Sequence, residues 1–114
     1  MSIKTTSLDL SRKVMEAGIT LDTMFGWYES KIVAGVFSVQ VNAHVSHMDN
    51  LNFICPAPTA CEWLEVMPDC EVYKEGVNYI CATKGVLVSS NEILSDSLAM
   101  MAIWLVEQGL WVKH

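Results

Sequence analysis

One arginine, Arg12, stands against thirteen acidic residues in this chain of 114, and the formal net charge is −6. So few cations argue against a nucleic-acid partner, because phosphate contact and base readout both need grouped lysine and arginine. Long apolar runs are missing too. The N-terminal MSIKTTSLDLSRKV has none after its first lysine, so no signal peptide or anchor is expected, and the expected location is cytoplasmic. The longest uninterrupted run, Leu98 to Val106, is nine residues, about half of the ~20 that a bilayer span needs. No membrane association is expected.

The four cysteines, Cys55, Cys61, Cys70 and Cys81, are spaced by six, nine and eleven and contain no CxxC. In a reducing compartment they read as free thiols that pack as small hydrophobes. His44 and His47 with Cys55 and Cys61 offer zinc-type ligands, but without a tight ligand pair only a special turn could bring them together, so no metal is expected. A cysteine–histidine pair would form only if the loop 42–52 folded over a thiol. There is no GxSxG, and the six glycines are scattered singly, so neither a nucleophile elbow nor a phosphate-cradling loop is present. Glu62 and Glu65 read as a solvated helix face rather than an acid/base pair. No catalytic residue and no cofactor are expected.

What is present is a globular composition, 52% hydrophobic and 18% charged, with no repeat or linker, so residues 1–114 read as a single domain. Leu10, Val14 and Ala17 recur at helical spacing over 8–17, with Thr6 or Ser7 able to cap the start and Gly18 the end. MFGWYES and KIVAGVFSVQV read as two strands joined by a turn at Glu29-Ser30-Lys31. Gly26 and Gly35 mark bulges or close approaches. In CPAPTACEWLEVMP, Thr59 and Glu62 form a capping box, Ala60, Trp63, Leu64 and Met67 share one face, and Pro68 ends the helix. Strands around 72–73, 77–83 and 86–88 follow, with turns at Glu75-Gly76 and Lys84-Gly85. Ser95 is the expected cap of a last helix that ends at Gly109, with Leu110 closing it. This order predicts an α+β fold: one small antiparallel sheet of four to five strands with three helices, the C-terminal helix packed on the sheet.

The helix closing in EAG-Ile, the strand with Phe25 and Trp27, CPAPTACEWLEVMP and SDSLAMMAIWLVEQGL together resemble a family of short proteins from bacteriophages and prophages. The resemblance covers most of the chain, strongest at 55–68 and 95–110 and weakest at 42–52. It implies no activity and no functional residue, since every matching position is a capping or packing position.

Four tryptophans and seven methionines are a heavy load for this length. Met100, Trp104 and Trp111 cannot all share the stripe of Leu98, Met101 and Leu105, because successive helix positions lie about 100° apart. Those three residues are the expected interaction surface, covered by the same chain, by a second copy or by a partner protein. The functional expectation is a small intracellular interaction or accessory protein of phage origin. The alternative is a small-molecule-binding module or enzyme with a pocket between sheet and helices.

Overall fold

The structure is a computed structural model that describes residues 4–45, 50–68 and 70–111, with the His44 side chain left out. Three helices, α1 (Leu8–Glu16), α3 (Ala60–Val66) and α4 (Leu94–Glu107), and a single turn, α2 (Asn42–Val45), are combined with six strands. The strands are β1 (Phe25–Ser30), β2 (Phe37–Val41), β3 (Leu51–Pro56), β4 (Glu71–Glu75), β5 (Asn78–Thr83) and β6 (Val86–Asn91). The fold is α+β, and α4 packs on β5 and β6 as expected.

The strands do not form one sheet. They form two antiparallel sheets of three, ordered β2-β1-β3 and β4-β5-β6. The reason lies in the strand that the sequence hid. Leu51–Pro56 begins in the last two residues of 42–52, the segment that reads as a loop, and runs on past it, pairing with β1 through a register shift between Trp27 and Tyr28. That bulge breaks the alternation by which a strand is recognised. Beyond it, Pro56 and Pro58 lead into α3, so the first sheet ends there and the second must start afresh.

The β1–β2 hairpin also turns later than its sequence suggests. The chain runs on to Val36, and β2 begins only at Phe37. Gly35, at φ +81, supplies the reversal, a backbone angle that L side chains rarely adopt. Gly26 meets the expectation of a close approach. A Cβ on it would lie 2.6 Å from Asn42 Oδ1 and 2.9 Å from the Phe53 ring. Asn42 cannot readily give way, because it accepts the Tyr28 hydroxyl at 2.7 Å and donates to Thr23 O at 3.0 Å.

The core sits around α4, between the second sheet on one side and α1 and α3 on the other. Leu98, Met101 and Leu105 are buried with Val14, Ile19, Leu21, Trp63 and Cys81. Each large apolar side chain removed from water contributes about 1.5–3 kcal/mol. The helix starts earlier than the serine pattern implied. Ile93, not Ser95, is the N-cap residue, and Asn91 Oδ1 accepts from its N–H at 2.9 Å. Asp96 lies in the first turn, where negative charge favours the helix dipole, and its carboxylate accepts from Ser7 N at 2.6 Å. At the other end Gly109 N donates to Val106 O and Leu110 N to Leu105 O, the Schellman pattern read from the sequence, though the Leu110 side chain stays exposed.

The α3 cap is as read. Thr59 Oγ1 accepts from Glu62 N at 3.3 Å, and Glu62 Oε1 accepts from Thr59 N at 2.8 Å. Its buried face is narrower than expected, with Trp63 fully buried and Leu64 exposed. Among the described residues no helix is long and apolar enough to cross a membrane.

Candidate interaction surfaces

Near the start of α4, Ser95 through Ala99 are all buried by the chain itself. The expected interaction residues lie farther along and do not form one face. Met100 and Trp104, one turn apart, are half-buried, and Met100 Sδ lies 3.8 Å from Asn91 Nδ2 of β6. Trp111 lies past Gly109, where its half-buried indole meets Trp63 edge-on, with centroids 6.5 Å apart at 81°. The same chain therefore supplies part of the cover for each.

Trp111 forms one wall of a cleft of about 490 Å³. The other walls come from the connection between α1 and β1, which contributes Leu21 and Asp22, and from α3, which contributes Glu62, Glu65 and Val66. The cleft is thus enclosed by a loop, a helix and the segment after α4, not by a sheet and helices. Glu62 is committed to structure on both oxygens, because Oε2 also accepts from Met24 N at 2.7 Å. Asp22 and Glu65 are exposed at the rim. Aromatic and aliphatic walls beside two solvent-facing carboxylates suit an apolar group next to a cation.

The sequence pointed to Trp111, Glu62 and Glu65 separately but not to Leu21, Asp22 or Val66. Gly18 marks the end of α1 in the sequence, but nothing in the pattern around it shows that Leu21 and Asp22 come to face α3. A second surface also escaped sequence reading. The tip of the β1–β2 hairpin exposes Ile32, Val33 and Val36, in a segment that reads as a strand in the sequence.

The metal and nucleophile constellations do not assemble from the described parts. His47 lies outside the described residues. Cys55 is buried beside Trp27 in the first sheet, whereas Cys61 is exposed on α3. Among the described residues no group of three or more histidine, cysteine, aspartate or glutamate side chains could hold a metal ion. Burial pushes the Cys55 thiol up, and the nearby Arg12 guanidinium only partly offsets this. Because the thiolate is the reacting species, a disulfide reagent such as Ellman's is expected to modify Cys61 at once in the native protein. Cys55 and Cys81, both fully buried, are expected to react only on unfolding. Rapid native modification of Cys55, read by peptide mass mapping, would show that the first sheet opens.

No family model, curated protein or solved structure matches this chain.

Proposed function

We propose that the protein works by contact, as a small intracellular interaction or accessory protein, and that the cleft beside Trp111 receives a partner segment carrying an apolar side chain next to a lysine or arginine. The phage origin rests on the resemblance of 55–68 and 95–110 alone. The observation that carries the contact reading is the cleft itself: about 490 Å³ bounded by Leu21, Val66 and Trp111, with Asp22 and Glu65 at its edge and no cysteine or histidine in its described lining. Such a lining offers shape and charge for recognition.

The test is a titration of the full chain with a Gly/Ser peptide carrying a Lys-Leu-Val core, followed by tryptophan emission and calorimetry. Saturable binding is expected, weakened at least about tenfold in Asp22→Lys with Glu65→Lys, since like charges then face each other. The acidic analogue Glu-Leu-Val is expected not to bind. If neither peptide binds, the cleft reading fails. If a small quaternary amine binds as well as the basic peptide, the small-molecule alternative takes its place.

A further inference from the structure

The tip of the β1–β2 hairpin has a fixed backbone and an apolar surface. Ser30 Oγ accepts from Ile32 N at 3.1 Å and from Val33 N at 3.2 Å, and a Glu29 carboxylate oxygen accepts from Gly35 N at 3.2 Å. Ser30 N donates to Val36 O at 2.9 Å, and Lys31 N to Asn50 O at 2.8 Å. These bonds hold one shape before any partner arrives, so little ordering entropy is lost on docking. Yet Ile32, Val33 and Val36 are 76%, 55% and 51% exposed. Single exposed aliphatics are ordinary, whereas three together on a rigid protrusion mark a contact surface.

We propose that the occupant of the cleft is this hairpin tip from a second copy of the chain, so that copies associate head to tail. The inference rests on the reading of the cleft given above. Charge complementarity carries it. In a chain with only seven cationic residues, Lys31 adjoins the exposed Ile32 and Val33. The cleft presents the converse arrangement, Asp22 and Glu65 beside Leu21, Val66 and Trp111.

A chain cannot fill its own cleft. Asp22 precedes β1 and Lys31 follows it, and a six-residue strand spans roughly 20 Å. β1 is paired on both edges and does not bend back. An anionic membrane is a poor alternative occupant for the tip, because Lys31 is the single cation in residues 31–36 and anionic membranes recruit clusters of lysine and arginine. Tip and cleft are different surfaces, so the contact is heterologous and leaves every pair with one free tip and one free cleft. Growth stops only if a ring closes. The tip offers three exposed aliphatic side chains and one lysine, which places the proposed contact among weak, exchanging interactions.

Sedimentation velocity on the full chain over a wide concentration range tests this. The expected result is a mass that rises with concentration past the dimer and falls at about 1 M salt, where screening acts within about 3 Å. Ile32→Ser with Val33→Ser removes the tip, and Asp22→Lys with Glu65→Lys removes the cleft. Each variant alone is expected to be monomeric with an unchanged circular dichroism spectrum. Mixed, they are expected to form a one-to-one pair and nothing larger, because one supplies only a cleft and the other only a tip.

A wild-type chain that stays monomeric throughout overturns the proposal, as does association that survives in both variants, or a mixture that fails to pair. Binding of the wild type, but not of the tip variant, to phosphatidylcholine vesicles containing phosphatidylserine assigns the tip to a membrane and also overturns it. A monomer that still binds the Lys-Leu-Val peptide overturns self-association alone. Association that persists in the cleft variant, without peptide binding, overturns the cleft reading too.

Discussion

Trp63→Ala is expected to leave the chain marginally folded or unfolded at 37 °C. Trp63 is fully buried at the point where α3 meets α4, in the cluster that includes Leu98, Met101 and Leu105. Its indole N–H donates to Thr6 Oγ1 at 2.9 Å, and Thr6 Oγ1 in turn donates to Pro58 O at 3.0 Å. One side chain thus ties the N-terminal segment to the prolines before α3, and Trp111 rests on its ring. Truncating a buried tryptophan to alanine costs about 3–5 kcal/mol, against a total stability of about 5–15 kcal/mol for a domain. Urea unfolding followed by circular dichroism measures it, and a loss below about 1 kcal/mol would contradict the central place given to Trp63. Trp63→Phe keeps most of the volume and loses the N–H, so a smaller loss is expected. The Trp111 wall should loosen with Trp63→Ala, so the cleft is expected to bind more weakly even where the protein still folds.

Two serines on α4, two residues apart, are expected to respond differently to alanine: Ser97→Ala destabilises and Ser95→Ala does not. Ser97 Oγ donates to Tyr79 O at 2.9 Å and lies 3.1 Å from the Ser89 hydroxyl, which donates to Ser97 O at 2.7 Å. This buried network fastens the helix to the second sheet. Ser97→Ala leaves buried partners short of a hydrogen bond, a loss of about 1–3 kcal/mol. Ser95 Oγ is buried with no partner among the described residues. Ser95→Ala removes that unmet group and is expected to leave stability equal or raise it by up to about 1–3 kcal/mol. Thermal melts of the two variants side by side decide the matter. A clear loss for Ser95→Ala would mean that its hydroxyl acts as the cap the sequence suggested.

Ser95 shows how local rules mislead when two of them compete. A serine followed by aspartate before an apolar run is a strong N-cap signal, and nothing in that stretch favours Ile93. Asn91 decides it by accepting the Ile93 N–H, which starts the helix at Leu94 and turns Ser95 inward. Where a single local mechanism acted alone, as in the Thr59/Glu62 capping box and the chain reversal at Gly109, the sequence pattern and the structure agree. The β1–β2 turn failed for a similar reason to Ser95. Ile32, Val33 and Val36 have strand propensity, but the Ser30 and Glu29 side chains accept from the backbone N–H groups of Ile32, Val33 and Gly35. Local side-chain bonds then outcompete pairing.

The sequence by itself determined the α+β class, the position of α1, the position and cap of α3, the two tight turns of the second sheet and the apolar character of α4, though the expected side-chain cap of α1 from Thr6 or Ser7 is not made. These depend on propensity, capping and periodicity, which act within a few residues of chain. Only the tertiary structure decided that the strands split into two sheets, that α4 is covered by α1 and α3 as well as by a sheet, and that Trp111 turns back to Trp63 to make a cleft with Leu21, Asp22, Glu65 and Val66. Those outcomes depend on contacts between residues tens of positions apart, whose closure entropy and packing no short window of sequence contains.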